Sequence, residues 1–380
     1  MRVAHLSPSY WPEVTRGTER FVADLSTLLA ARGHEVTVLT SHPGPPSVTV
    51  EAGVTVVRRR RPPALRPLRW YEPFIANVPS VLRGVLGGRF DVAHAHFPTD
   101  AWAAVAARRL GGPPVVFTMH GIPTRAYLVA RRYRLEMLQA TIAGASSCTV
   151  GSAAAARPFR AYLGREPDVI PPGVFVERFA AEVPRAETPT VVCAASLGDP
   201  RKRPPLLAAA FALLRQRRPE ARLLAFRARD PVLGGAPVDL GGGAEWLAPM
   251  QEASALAGVY GASWASVLPA VEEAFGLVLT ESLAAGTPVV ADRSGAGPEI
   301  VDSEEIGRLF EPDDPADLAR AMDEALDLGL ENDVRERCRA RARAYDWPGL
   351  VERWERLYER VASTARDWHP FEVSAVPGPR

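Results

Sequence analysis

Cysteine is scarce in this 380-residue sequence, since Cys148, Cys193 and Cys338 are the only three and they lie far apart. Such a set fits neither a disulfide framework nor a close-spaced zinc site, so we expect a reducing compartment. No apolar run approaches the roughly 20 residues of a membrane span, and Pro8 follows the N-terminal apolar residues too soon for a signal peptide. The sequence therefore predicts a cytoplasmic protein that is neither exported nor integral to a membrane.

Motifs of several protein classes are missing as well. The sequence has no Walker A motif, no HExxH zinc motif, no strict GxGxxG after its first apolar stretch and no Asp-x-Asp pair. Its 45 basic and 44 acidic side chains give a formal net charge of +1, which provides no overall field to attract nucleic acid. Any site for an anion must therefore be local.

The length and composition indicate a globular protein of two domains. An apolar share of 47% and a charged share of 23% are ordinary for such proteins, and abundant Ala, Arg, Pro and Gly suggest a GC-rich bacterial genome. Because a single core rarely exceeds roughly 250 to 300 residues, 380 residues predict two cores. A Pro-, Glu- and Thr-rich stretch near Val183 marks the boundary, so we predict a first domain over 1–182 and a second over 183–349.

Apolar strands alternate with amphipathic helices through both halves. In the first half the predicted strands are Val3–Leu6, Val36–Thr40, Asp91–His94, Val115–Thr118 and Cys148–Ser152, and the predicted helices are Thr18–Arg32, Ala101–Leu110 and Tyr127–Ala143. In the second half the predicted strands are Val191–Ala195, Arg222–Phe226, Ala265–Leu268 and Pro288–Ala291, and the predicted helix is Leu277–Ala285. This order predicts two doubly wound, Rossmann-like α/β domains with parallel sheets.

The C-terminal region carries a further amphipathic pattern. Apolar residues recur at helical spacing between Leu350 and Val361, which predicts a helix over 350–366 that needs a surface to pack on and would cross back to the first domain. Residues 367–380 contain three prolines and are expected to form a flexible tail.

The most informative segment contains Glu273 and Glu281, two carboxylates separated by seven residues across a glycine-containing loop and a helix start. Gly276 allows close approach of a ligand to the backbone, and the unpaired amides at the start of the helix suit phosphate oxygens. A carboxylate beside a bound diphosphate acts as an acceptor for sugar and ribose hydroxyls. The alternative is that Glu281 is a solvated helix residue and Glu273 a stabilising acid near the helix N-terminus.

This segment resembles the E-x7-E motif of the family 4 glycosyltransferases, and residues 284–290 are similar to the segment that follows it there. The segments 32–38, 91–96, 118–121 and 169–174 also look like family segments, in family order. The resemblance implies a GT-B fold, in which two facing Rossmann-like domains enclose a deep cleft. It also implies a retaining, metal-independent transfer of a sugar from a nucleoside diphosphate, with the donor held by the second domain and the acceptor by the first. The missing Asp-x-Asp pair agrees with the absence of a metal cofactor.

The resemblance also implies roles for individual residues. Glu281 would bind the ribose hydroxyls and Glu273 the donor-sugar hydroxyls, and His120, after the strand Val115–Thr118, would contact the reacting sugar. The remaining donor contacts would be the backbone of Phe275, Gly276 and Leu277 and the loop at Gly17 and Thr18, where Thr18 replaces the second of the family's paired glycines. Without the resemblance, His120 reads as a residue that caps a strand end.

A diphosphate also requires a cation, since backbone amides alone compensate its charge poorly. The sequence Arg201-Lys202-Arg203 supplies one, and Lys202 matches the lysine of the family, whereas Ser196 stands where the family usually has an arginine. Arg201 is a candidate substitute for that arginine, and which of the three side chains faces the diphosphate stays open. At least one of them is expected to be a solvated loop residue.

Basic and aromatic residues mix between Arg58 and Phe74, which suggests weak peripheral contact with an anionic inner-membrane surface, although a solvated face is the commoner outcome for such a run.

The predicted function is a hexosyl or other glycosyl transfer to a natural product, lipid or saccharide, without nucleic-acid partners. The alternatives are a sugar-nucleotide-binding partner that has lost turnover, and a nucleotide-sugar epimerase on the same fold. The base, the donor sugar, the nucleobase and the oligomeric state stay open.

Overall fold

The computed structural model describes residues 1–62, 72–180, 182–227, 238–250 and 252–364. The chain divides into two compact units. The first consists of Met1–Val150, Ala156–Ile170 and the residues from Val351 on, and the second of Gly151–Ala155 and Pro171–Leu350. Val183, where the sequence indicates a boundary, belongs to the second unit. The predicted tail over 367–380 lies outside the described residues.

An eight-stranded sheet forms the centre of the first unit. In spatial order its strands are β3 (Ser47–Glu51), β4 (Val54–Arg60), β2 (Glu35–His42), β1 (Arg2–Leu6), β5 (Val92–Ala95), β6 (Val115–Met119), β7 (Ser147–Val150) and β8 (Asp168–Val169). Every neighbouring pair is parallel except β3 with β4. The strands β5, β6 and β7 are buried along their whole length, as parallel strands covered on both faces should be.

Helices connect these strands. They are α1 (Gly17–Ala31), α2 (Val78–Gly87), α3 (Pro98–Arg109), α4 (Arg125–Val129), α5 (Arg134–Gly144) and α6 (Ala153–Leu163). In α1, Phe21, Val22, Leu25 and Leu29 recur at helical spacing and are buried, so this apolar face holds the helix on the sheet.

The hairpin of β3 and β4 is a feature that the sequence analysis did not predict, and the arginine run forms the end of β4. Arg58 pairs with Glu51 at 2.7 Å, and Arg61 donates to the backbone oxygens of Pro8 and Ser41 at 3.1 and 2.7 Å. These two arginines are therefore held by partners within the unit.

The predicted helix over 127–143 is wrong, because two helices occupy this region. Tyr133 adopts a left-handed conformation with φ of 60° between α4 and α5, which interrupts the helical hydrogen bonds. Helical periodicity carried no signal of this break.

Most of the segment expected to touch a membrane, residues 63–71, lies outside the described part of the chain. Among the described residues, no helix combines the length and the apolar character that crossing a membrane requires.

The second unit contains a six-stranded, entirely parallel sheet. In spatial order its strands are β11 (Ala244–Leu247), β10 (Arg222–Phe226), β9 (Thr190–Cys193), β12 (Ala265–Leu268), β13 (Val289–Asp292) and β14 (Gly307–Phe310). The helices are α7 (Val176–Phe179), α8 (Pro204–Arg217), α9 (Ala253–Ala262), α10 (Leu277–Ala284), α11 (Gly297–Ile300), α12 (Pro315–Leu328) and α13 (Val334–Ala342). The prediction of two Rossmann-like α/β domains with parallel sheets is confirmed.

The last helix, α14 (Trp347–Thr364), begins in the second unit and continues into the first. Its apolar stripe is buried, with Trp354 and Tyr358 fully enclosed in the first unit. The Trp354 ring lies 5.6 Å from the ring of Phe21, and the Tyr358 hydroxyl lies 2.7 Å from Nδ1 of His94. The helix therefore completes the core beneath the carboxyl edge of the first sheet.

Two glycines of the second unit give opposite stability predictions. A Cβ at Gly173 would lie 2.2 Å from the ring of Trp347, whereas a Cβ at Gly258, in α9, would meet nothing within 4 Å. We expect Gly173→Ala to lower the free energy of unfolding by about 1–3 kcal/mol through overpacking. Gly258→Ala should raise it by roughly 0.5–1 kcal/mol, since alanine favours a helix. Urea unfolding measures both, and equal stability of the two variants would contradict the tight contact at Trp347.

Candidate functional site

The predicted site residues fall into two groups. Those of the second unit are Arg201, Lys202, Glu273, Phe275, Gly276, Leu277 and Glu281, and those of the first unit are Gly17, Thr18 and His120. Each group follows the carboxyl ends of parallel strands, which is where open α/β sheets bind ligands.

In the second unit, the three cations after β9 have different partners. A short 3-10 turn, Pro200–Lys202, begins at Asp199, whose carboxylate accepts a hydrogen bond from the Arg201 amide at 3.0 Å. The Arg201 side chain also binds Asp199 and is 77% exposed, while Arg203 pairs with Asp313 at 2.5 Å. Burial raises the pKa of the Asp199 carboxyl, but the hydrogen bonds from Arg201 outweigh burial and hold this pKa below its usual value. Asp199 in the same turn and Asp313 in the loop after β14 thus already pair with Arg201 and Arg203.

Lys202 is the cation of this turn that reaches Glu273. Its Nζ makes a short contact with Oε2 of Glu273, and the two side chains are only 19% and 23% exposed. Lys202 is also the only lysine in the sequence, so 44 of the 45 basic residues are arginines. A compact ammonium differs from the planar fork of arginine in reach and in hydrogen-bond geometry, so this position stands apart chemically.

Gly276 shapes the backbone between Glu273 and α10. It has φ of 94° and lies directly before the first helical residue, Leu277. A Cβ there would lie 3.1 Å from Cδ1 of Leu279 and would also need a left-handed backbone, which side-chain-bearing residues disfavour. The first amides of α10, which have no carbonyl partner in a preceding helical turn, therefore lie close after Glu273 in the chain and suit phosphate oxygens.

Phe275 and the loop after β13 support this segment. The Phe275 ring is buried and lies 5.4 Å from the ring of Tyr345. The amide of Ala296 donates to the backbone oxygen of Glu273 at 2.9 Å, which fixes the glutamate from the neighbouring strand end. Sequence analysis missed this loop, although its Ser294-Gly295-Ala296-Gly297 run directly after a predicted strand was a usable signal.

Glu281 lies within α10 and is 3% exposed. The hydroxyl of Tyr260 donates to its Oε2 at 3.3 Å. The interpretation of Glu281 as a solvated helix residue is therefore wrong. Tyr260, in α9, is a neighbour of the carboxylate that the sequence did not reveal.

In the first unit, His120 directly follows β6 and belongs to a line of histidines. Its Nε2 lies 3.2 Å from Nδ1 of His96, and Nε2 of His96 lies 2.9 Å from Nδ1 of His5. Burial lowers the pKa of His5 and of His120 to about 3. Burial also places the pKa of His96 well below its usual value, so all three imidazoles are neutral near pH 7. His120 therefore offers a neutral ring for hydrogen bonding.

Gly17 and Thr18 begin α1, as the sequence predicts, and Gly17 is exposed. The next residue, Glu19, is fully buried and accepts hydrogen bonds from the Ser9 hydroxyl at 2.7 Å and from Arg16 at 3.2 Å. These bonds tie the loop before α1 to its first turn.

Two family models match the chain. The model described as Glycosyltransferase Family 4 matches residues 15–178, and the model described as Glycosyl transferases group 1 matches residues 188–327. Together the two models cover most of the sequence.

Curated relatives match over nearly the whole length. The chain is 30% identical to phosphatidyl-myo-inositol mannosyltransferase of Mycobacterium tuberculosis, over 96% of this chain and 98% of that protein. It is also 30% identical to D-inositol 3-phosphate glycosyltransferase of Acidothermus cellulolyticus, over 93% of this chain and 88% of that protein.

Solved structures show the same fold. Sucrose-phosphate synthase from Thermosynechococcus elongatus superposes with a TM-score of 0.80 at 22% identity, covering 96% of this chain and 99% of that one. Anabaena HepE in complex with UDP superposes with a TM-score of 0.72 at 17% identity, covering 95% of this chain and 100% of that one. At such identities the likeness concerns the fold alone.

Proposed function

The chain belongs to glycosyltransferase family 4 and is a glycosyltransferase of the GT-B fold, and we propose that its second unit binds a nucleoside diphosphate sugar. One observation carries the proposal. The only lysine, Lys202, contacts Glu273, which lies three residues before Gly276 and the start of α10. A cation, a hydroxyl acceptor and anion-binding amides thus lie together, and a nucleoside diphosphate sugar needs all three.

Each residue then has a role set by its chemistry. Glu281 accepts the ribose hydroxyls and Glu273 those of the donor sugar, while the amides from Phe275 to Leu277 hold the diphosphate. Lys202 shares its charge between Glu273 and the diphosphate as the bond to the sugar breaks, which stabilises the leaving group.

The first unit contributes His120, which contacts the reacting sugar, and the loop at Gly17 and Thr18, which approaches the diphosphate. We propose that transfer retains the anomeric configuration and needs no metal ion, because the lysine and the helix amides supply the compensating charge. The family resemblance of the Glu273 to Glu281 segment supports retention.

The acceptor that we propose is an inositol phosphate, either free or lipid-linked. The two curated relatives are named for phosphatidyl-myo-inositol and for D-inositol 3-phosphate, and they match over almost the whole chain. A small recess at the carboxyl edge of the first sheet combines hydroxyls with cations, the groups that bind a phosphate. Its polar lining includes Ser7, Ser41, Arg59, Arg60, Asn77 and Ser80. A lipid-linked acceptor would also give the segment from Arg58 to Phe74 its expected membrane contact.

The acceptor is tested with D-inositol 3-phosphate, unphosphorylated inositol and phosphatidylinositol vesicles, each with labelled nucleotide sugars. We expect transfer to a phosphorylated form, and at least about tenfold less transfer to inositol, since the phosphate pairs with arginine. NMR of the product should show the anomeric configuration of the donor. Nucleotide binding without transfer to any of a wide set of acceptors would favour a partner protein that has lost turnover.

Donor binding is tested by thermal unfolding with UDP, GDP, ADP, CMP or dTDP, with and without EDTA. A nucleotide at 100 times its dissociation constant stabilises the folded state by about 2.7 kcal/mol. We expect one nucleoside diphosphate to raise the unfolding temperature equally with and without EDTA. Glu281→Gln, which keeps the volume of the buried side chain, should lose this rise. No rise with any nucleotide would overturn the donor site, and a rise that EDTA abolishes would overturn metal independence.

Lys202 is tested with two variants. We expect Lys202→Ala to lower kcat by roughly a hundredfold to a thousandfold, or about 2.7 to 4 kcal/mol, as the loss of one preorganised charge contact does. Lys202→Arg keeps the charge but changes its geometry and should recover only part of the rate. Because no other lysine exists, amine-directed labelling reports on Lys202 and the α-amino group alone, and bound nucleotide should protect Lys202. Unchanged turnover in Lys202→Ala would remove this residue from the mechanism.

A further inference from the structure

Three neutral imidazoles of the first unit form one hydrogen-bonded line. It runs from His120 through His96 to His5, with nitrogen to nitrogen distances of 3.2 and 2.9 Å. The rings of His5 and His96 are nearly parallel, with an interplanar angle of 12° and centroids 5.2 Å apart, as expected for a hydrogen bond in the ring planes. His5 and His96 are fully or almost fully buried, whereas His120 is half-buried at the carboxyl edge of the sheet.

The same region brings three possible metal ligands together, since ligand atoms of His5, His94 and His96 all lie within 4.8 Å of one another. Both ring nitrogens of His94 are occupied, however, at 2.7 Å from the Tyr358 hydroxyl and 2.6 Å from the Thr118 hydroxyl. His5 and His96 bind each other. A metal ion would have to replace all of these hydrogen bonds, so the cluster is better described as a hydrogen-bonded network.

The buried end of the line determines the position of its protons. Nε2 of His5 is buried and has no hydrogen-bond partner among the residues that the structure describes. Buried N–H groups without an acceptor are rarer in folded proteins than acceptors with an unused lone pair, so Nε2 of His5 carries no proton. Since a neutral imidazole has one N–H, the proton of His5 is on Nδ1 and is donated to Nε2 of His96.

The proton positions of His96 and His120 follow by the same reasoning. Because Nε2 of His96 accepts, its proton is on Nδ1, which donates to Nε2 of His120. We propose that His96 and His5 are positioning residues that hold His120 as the Nδ1–H tautomer. His120 then presents a hydrogen-bond donor to the substrate, and its only lone pair is already bound to His96.

This inference rests on the proposed contact between His120 and the donor sugar, and it specifies the chemistry of that contact. A neutral N–H stabilises an oxygen that carries or gains negative charge, such as a sugar hydroxyl oxygen or a departing phosphate oxygen. His120 does not remove the proton of the acceptor, because its Nε2 is not free. The base of the reaction is therefore another group.

The tautomer is tested by 15N NMR of the protein labelled in histidine, near pH 7, because protonated and unprotonated ring nitrogens resonate far apart. The wild-type protein should show His120 with its proton on Nδ1 alone. His5→Leu removes the donor at the end of the line, and His120 should then populate the Nε2–H form. The smaller side chain in His5→Asn can place its amide nitrogen at the position of Nδ1, so this variant should restore the wild-type tautomer.

Transfer kinetics should follow the tautomer. We expect His5→Leu to lower kcat/KM by about tenfold, the effect of one misplaced hydrogen bond, and His5→Asn to stay close to wild type. Both variants should keep the wild-type affinity for the nucleotide. A loss of unfolding temperature shared by both variants measures the structural effect of changing His5, while the difference between them isolates the proton position.

Different results would contradict the tautomer inference and the proposed sugar contact. A wild-type spectrum with the His120 proton on Nε2, or an unchanged His120 signal in His5→Leu, would overturn the inference. If His5→Leu does not fold, the wild-type spectrum still shows which ring nitrogen of His120 carries the proton. Full transfer by His120→Ala would overturn the proposed sugar contact instead, and it would leave the NMR result unaffected.

Discussion

Parallel strand pairing is the constraint on which the rest of the structure depends, because neighbouring parallel strands end at the same edge of a sheet. In the first unit, His5 on β1 is the register partner of His94 on β5, and His96 and His120 follow the ends of β5 and β6. In the second unit the loops after β9, β12 and β13 meet in the same way, and they carry Lys202, Glu273 and Ala296. Residues far apart in sequence thus become neighbours through backbone pairing alone.

Strand and helix patterns could be read from the sequence, and so could the loop at Gly276, because each is encoded within a few residues. Strand β3 was missed because its apolar side chains, Val48 and Val50, are exposed and give no buried face, whereas β4 buries Val54 and Val56, a period-two signal that was not used. The break at Tyr133 depends on a left-handed backbone that periodicity does not encode. Sheet order is a long-range property, so the line of histidines was beyond the sequence even though each histidine was visible.

The basic residues 201–203 also combine a feature that the local sequence encodes with one that depends on long-range contacts. The sequence offered three adjacent basic residues without a means to choose among them, because the choice depends on Asp199 and Asp313, which occupy Arg201 and Arg203. The composition held an unused signal, since a chain with 44 arginines has one lysine and that lysine contacts Glu273. A strong bias toward arginine makes a single ammonium informative without any alignment.

Charge is handled differently in the two units. The second unit places a lysine and a carboxylate in partial contact with solvent, so their charges can be redistributed when an anion binds. The first unit buries His5 and His96 and half-buries His120, and desolvation keeps these three imidazoles neutral, so their contribution is directional hydrogen bonding. A diphosphate leaving group needs charge, whereas orientation of a sugar needs fixed donors and acceptors. The proposed division of roles between Lys202 and His120 therefore follows from the charge that each side chain carries.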